Sequence, residues 1–106
     1  MFLTLQVEAR LMKQTPLTMR QVIAPKAGAV QNLSVSTAAL PLTFSLMCSS
    51  VSSIAGYSGH ANYAAANSSM DTYAAHQSQT GAPIMAVQWG AWSGIGMAHL
   101  HDVFNF

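Results

Sequence analysis

Two short apolar runs, Leu42–Met47 and Ile84–Trp89, bracket an alanine-rich segment of helical length, and this arrangement limits the fold more than any other feature. Each run is as long as a strand and neither alternates polar with apolar, which suits strands covered on both faces. Between them, Ser49–Gly59 reads as a Ser/Gly loop. His60–Gln77 reads as a helix rich in alanine, the best helix former. Gly81-Ala82-Pro83 closes the unit before the second run. Strand, helix, strand over this length is one β-α-β unit, with parallel strands and a right-handed crossover. Two strands do not make a stable sheet. The expected class is therefore α/β, part of a Rossmann-like doubly wound parallel sheet.

Upstream of the first run, Thr15 reads as an N-cap with Pro16 at the first helical position. The spacing predicts one helix over Pro16–Ala38, kinked near Pro25, with Leu17, Val22 and Ile23 sharing a buried stripe and Arg20 outside it. Downstream, Trp89–Gly96 reads as a Gly/Trp loop, and Met97–Val103 as the start of another helical turn.

Charge sharpens the picture. Only 7% of the 106 residues are charged, against roughly 25% in typical soluble domains. No acidic or basic residue falls between Lys26 and Asp71, His60 apart. Such a span reads as the interior of something larger. A net charge of +1 with no basic run gives no field for nucleic acid. No window holds the roughly 18 continuous apolar residues of a membrane span. Cys48 is the single cysteine, which excludes internal disulfides and cysteine-based zinc sites and fits a reducing, cytoplasmic setting. Just past the end of the first run, it reads as a buried, inert thiol. His99 and His101 have no third ligand and read as surface residues, so no metal site is expected.

The residues around the loop and helix carry chemistry. Tyr63 and Asn67 lie four apart, so a helix sets both on one face. A polar loop at the carboxyl end of a strand, followed by that helix, is where α/β sheets hold ligands. Taken one at a time these residues have ordinary readings: Tyr63 as packing, Lys26 as a solvated charge, Ser50 as loop polarity, Asn67 as a local hydrogen bonder.

Taken together, C-S-S-V-S-S-I-A-G-Y-S-G-H-A-N-Y-A-A-A-N followed by V-Q-W-G-A-W-S-G-I-G-M-A resembles the ketoreductase domain of type I polyketide synthases, a branch of the short-chain dehydrogenase/reductase superfamily. The segment L-M-K-Q-T-P-L-T-M-R-Q-V-I-A-P-K-A-G-A-V-Q-N-L resembles the helix that carries the family's lysine. The likeness runs from about Leu11 to Ala98. Cys48 and His60 depart from the usual text, at positions that are not catalytic. For His60, packing in the loop is the simpler reading.

The resemblance implies reduction of a β-ketoacyl thioester on an acyl carrier protein with NADPH, in polyketide or fatty acid biosynthesis. It implies Tyr63 as general acid. Free phenols titrate near 10, and a cation such as Lys26 alongside favours the phenolate. Lys26 would also hold the nicotinamide ribose, Ser50 would donate to the ketone oxygen, and Asn67 would hold a water or the lysine in a proton relay. Gly90, Ala91 and Trp92 would lie beside the nicotinamide, with Tyr63 also touching the cofactor. In most of the superfamily the lysine follows the tyrosine by four; here Asn67 stands there and Lys26 lies upstream, as in this ketoreductase group.

No G-x-G-x-x-G occurs in these residues. The resemblance therefore makes residues 1–106 the C-terminal, catalytic portion of the domain, with the nucleotide-binding half and the other synthase domains as partners. The family's Leu-Asp-Asp signature of one alcohol stereochemistry would fall near Gln6–Glu8, where only Glu8 echoes it, and the tryptophan of the other would replace Ala55, so the stereochemistry stays open. Two alternatives stand beside this reading: a degenerate, non-catalytic fragment needing a partner half, and a short-chain reductase of free small ketones.

Overall fold

The computed structural model of the chain describes residues 11–92. A single turn at Leu11–Lys13 leads to helix α1, Pro16–Ile23. Its start follows from local chemistry. The Thr15 side chain accepts from the Thr18 amide at 3.2 Å while the Thr15 amide donates back to Thr18 Oγ1 at 2.9 Å, with Pro16 at the first position where no amide is needed. The expected break at Pro25 is a π-helical turn over Ala24–Gly28, after which helix α2, Ala29–Thr37, resumes. Proline has no amide to continue the α ladder, and a wider turn absorbs the loss. Of the expected stripe, Val22 is buried, Ile23 is half-buried and Leu17 is 63% exposed. The stripe is thus narrower than the sequence predicts.

Strand β1 is Ser45–Ser50, three residues later than Leu42–Met47, and β2 is Ile84–Trp89 as expected. The shift has a cause in the partner strand. Pairing is parallel with Ser45 opposite Ile84 and Ser50 opposite Trp89, and the first rung is the Ser45 amide donating to the Pro83 carbonyl at 2.7 Å. Leu42–Phe44 precede the point where β2 offers a partner. Beyond β1, the Val51 amide donates to the Trp89 carbonyl at 3.0 Å, and the expected loop contains a short helix α3, Ser52–Ala55. Gly56, at φ 63°, ends it in a conformation that other residues rarely adopt.

Helix α4, Ala61–Gln79, connects the strands and packs against α1, the π turn, α3 and both strands. It buries Asn62, Ala66, Asn67, Met70 and Ala74 along one side. It stops where Gly81 predicts. The Ala82 amide reaches the Gln77 carbonyl at 3.2 Å and the Gly81 amide reaches Ser78 at 3.0 Å, a Schellman motif with Gly81 at φ 87°. The order β1-α4-β2 with two parallel strands is the expected α/β unit.

The apolar core among the described residues is small: Val22, Val30, Ala66, Met70 and Ala74. Leu42, Phe44, Leu46, Met85 and Trp89 are exposed, and so is Cys48, contrary to the expectation of a buried thiol. Cys48 shares a sheet face with Leu46, whereas buried Ser49 lies on the α4 face. No helix among the described residues is long and apolar enough to cross a membrane. The Met97–Val103 turn, His99 and His101, and the Gln6–Glu8 region lie outside the described residues.

Candidate active site

Lys26 sits in the π turn between α1 and α2, and its Nζ lies over the Tyr63 ring, 5.2 Å from the centroid. The contact joins the upstream helices to the third residue of α4. An ammonium over an aromatic face is attracted by the ring's negative quadrupole. Partial burial holds the Lys26 amine below the ordinary lysine range, and the nearby Cys48 sulfur pulls the other way. Lys26 is therefore a partly desolvated cation, not a solvated surface charge.

One turn along α4 from Tyr63, Asn67 is fully buried. Its Nδ2 donates to the Tyr63 carbonyl at 2.9 Å. Its Oδ1 has no partner among the described residues although it is buried. Leaving such an acceptor unmet costs about 1–3 kcal/mol, a cost the helix carries at this position. The Tyr63 side chain is half-buried, and its hydroxyl makes no hydrogen bond among the described residues.

Ser50 ends β1. Its Oγ accepts from the Ser52 amide at 3.2 Å and from the Ser52 hydroxyl at 3.0 Å. Both bonds use Ser50 as acceptor, which leaves its own O–H to donate. No hydrogen bond joins Ser50 to Tyr63 among the described residues, so of the four predicted residues the structure links Lys26, Tyr63 and Asn67 directly and leaves Ser50 held by its own loop. Gly90, Ala91 and Trp92 follow β2 and are exposed. A Cβ at Gly90 would meet nothing within 4 Å, so its backbone is open to approach. Trp92 tilts against Trp89 with centroids 6.0 Å apart. The Val51–Trp89 backbone bond ties this loop to the one after Ser50. His60 packs edge-on to Tyr57 and its Nδ1 donates to the Ser58 carbonyl at 3.2 Å, as loop packing predicts.

Two residues that sequence reasoning passed over hold this arrangement. Asp71, two turns after Tyr63, accepts from the Ser53 hydroxyl at 2.6 Å and from Gln88 Nε2 at 2.8 Å, clamping α3 and β2 to α4. Burial pushes its carboxyl up, but the Ser49, Ser53 and Gln88 side chains together outweigh this and bring it below the ordinary aspartate range. As the first charge after a long neutral span, it carried a signal. Asn62, fully buried beside Tyr63, lies inside the N-Y-A-A-A-N block of the resemblance, but nothing in the sequence alone assigns it a role.

Comparison with known proteins agrees with this architecture. The sequence model of the KR domain matches residues 4–94. Polyketide synthase GfsB of Streptomyces halstedii is 42% identical over 78 residues, which is 74% of this chain and 1% of that protein. Polyketide synthase PksN of Bacillus subtilis is 35% identical over 101 residues, 90% of this chain and 2% of its own length. Among solved structures, an A-type ketoreductase from a modular polyketide synthase superposes with TM-score 0.87 at 30% identity, covering 94% of this chain and 22% of that one. The first ketoreductase of the tylosin synthase gives TM-score 0.80 at 33% identity, covering 86% and 20%. The chain thus spans a small part of each relative, and over that part sequence and fold agree: it belongs to the KR domain family, the ketoreductases of type I polyketide synthases within the short-chain dehydrogenase/reductase superfamily.

Proposed function

We propose that this chain supplies the catalytic residues of an NADPH-dependent ketoreductase that converts a β-ketoacyl thioester, held on an acyl carrier protein, to its β-hydroxyacyl form. The observation that carries this reading is the Lys26 amine over the Tyr63 ring, 5.2 Å from its centroid. Membership in the KR domain family supports it.

The residues fit the nicotinamide end of such a cofactor. The Tyr63 hydroxyl is unengaged among the described residues, Asn67 Oδ1 lacks a donor, and the Gly90 backbone is open to approach. Lys26 and Tyr63 would hold the ribose, with Gly90, Ala91 and Trp92 beside the ring. When bound, NADPH supplies the hydride that reaches the ketone carbon. Tyr63 gives its phenolic proton to the ketone oxygen as the C–O bond gains charge. The Lys26 cation favours the phenolate that this leaves. Ser50, with its own O–H unspent, donates to the same ketone oxygen and positions it. Lys26 returns a proton to Tyr63 and regains one from solvent through a water that would be held by Asn67 Oδ1, so the relay ends with Lys26 charged and the water neutral. The pyrophosphate-cradling turn G-x-G-x-x-G is not among these 106 residues, so a separate nucleotide-binding half would complete the site. The carrier protein and the other synthase domains are the further partners this reading requires.

The exposed Leu46, Met85 and Trp89 favour a second reading of the chain on its own: an inactive part that packs against that half. The test is NADPH oxidation with a β-ketoacyl thioester, by the chain alone and with the nucleotide-binding half of a related ketoreductase added. Turnover that appears only with the added half, and disappears in Tyr63→Phe, is the expected result. Turnover that persists in Tyr63→Phe would overturn the catalytic assignment.

A further inference from the structure

Asn62 is fully buried and uses both ends of its side-chain amide. Nδ2 donates to the Thr18 carbonyl in α1 at 3.3 Å, and Oδ1 accepts from the Tyr63 amide at 3.0 Å. Only one orientation of the amide serves a carbonyl and an N–H at once, so the chemistry fixes which atom is which. The Tyr63 amide belongs to the first turn of α4, where backbone donors have no partner inside the helix. A residue serving that need alone requires only an acceptor. Here the same side chain also reaches across to a different helix.

What it joins gives the bond its meaning. Thr18 lies eight residues before Lys26, in the helix that runs directly into the lysine's π turn. Tyr63 is the next residue after Asn62. Apolar packing sets how close two helices come, whereas a directional bond from a buried side chain to a backbone carbonyl also sets where along their axes they meet. Eight helical residues make a lever of about 12 Å, so a swing of about 10° at the Asn62 anchor moves Lys26 by about 2 Å. Displacements near 1 Å can cost an active site about 10²-fold in rate.

We infer that Asn62 is a positioning residue whose bridge from the Tyr63 amide to the Thr18 carbonyl holds the Lys26 amine over the Tyr63 ring. Its importance for turnover rests on the ketoreductase reading above; its geometric role does not.

The chain has two lysines, Lys13 and Lys26, which makes the test direct. After reductive ¹³C-methylation, the ring current of Tyr63 displaces the Lys26 methyl and ε-methylene resonances upfield of those of Lys13. Asn62→Asp keeps the acceptor for the Tyr63 amide and removes the donor to Thr18. The expected result is loss of the upfield displacement in Asn62→Asp and Asn62→Ala, with the helical circular dichroism of Asn62→Asp preserved. Retention of the displacement in Asn62→Asp would overturn the inference, as would its absence from the unmodified chain. A measurement needing no variant stands behind these: the Asn62 side-chain amide protons exchange slowly with solvent if the bridge persists, and exchange at the rate of a free amide overturns it. Because the displacement reads geometry and not turnover, intact geometry without reductase activity sinks the function proposal and leaves the role of Asn62 standing.

Discussion

Lys26 Nζ and the Tyr63 ring, 5.2 Å from the amine to the ring centroid, come from segments separated by 36 residues and three intervening elements, α2, β1 and α3, and the fold converts that distance into a contact. Partial burial makes the cation costly at neutral pH, and Lys26 holds fewer protons folded than unfolded over the window between its depressed folded pKa and the ordinary lysine value. The desolvation cost is therefore full below the folded pKa and fades as pH rises through that window. Lys26→Met is expected to raise Tm at neutral pH, with the gain shrinking as pH climbs toward the ordinary lysine range. In the complemented ketoreductase it should also lower kcat by about 10²-fold or more. Thermal melts across alkaline pH check the first part; a gain that grows with pH would reverse the assignment of cause.

Tyr63→Phe separates chemistry from packing. The hydroxyl makes no hydrogen bond among the described residues, so its removal should shift stability by no more than about 0.5 kcal/mol. Loss of the proposed general acid should lower kcat about 10²- to 10⁴-fold. Denaturant titration beside steady-state kinetics tests both halves. A large loss of stability would show that the phenol is structural.

The Asp71 clamp predicts behaviour in acid. Its carboxyl stays ionised below the usual aspartate range because hydrogen bonds from neighbouring side chains outweigh burial. A carboxyl with a depressed folded pKa adds stability above its unfolded pKa, and that stability is lost as pH falls through the folded pKa. Asp71→Asn should destabilise near neutrality by about 1 kcal/mol, the scale of one or two weakened hydrogen bonds. The difference from the unmodified chain should close in acid. Because Ser53 lies three residues after Ser50, the variant should also loosen the loop that presents Ser50, read as a rise in KM.

These residues show what the sequence made legible. Pro16, Pro25, Gly81 and Pro83 act locally, through missing amides and a left-handed turn, and they set the starts and stops of α1, α4 and β2 where the sequence predicts them. Tyr63 and Asn67 share a side of α4 because helical geometry is fixed by spacing. The start of β1 is different: its bounds depend on where β2 offers hydrogen bonds, a relation between distant segments. Leu17 and Cys48 read as buried because they are apolar, yet burial depends on what lies opposite, and among the described residues both remain exposed. Asn62 left no periodic trace, since its partner is a backbone carbonyl of α1 that any residue could supply.

Asn67 offers a trade between stability and activity. Its Nδ2 donates to a carbonyl within its own helix, while its buried Oδ1 has no partner among the described residues. Leucine has nearly the same shape and lacks both polar atoms, so Asn67→Leu deletes one modest intrahelical bond together with an unmet acceptor worth about 1–3 kcal/mol of penalty. The expected outcome is an unchanged or higher Tm. Activity in the complemented ketoreductase should fall at least about 10²-fold, because in the proposed relay no oxygen would remain to hold the water that reprotonates Tyr63. Thermal melts and NADPH oxidation on the same preparation decide it. A fall in both would mean that Asn67 serves the helix first, and the proton relay would need another acceptor.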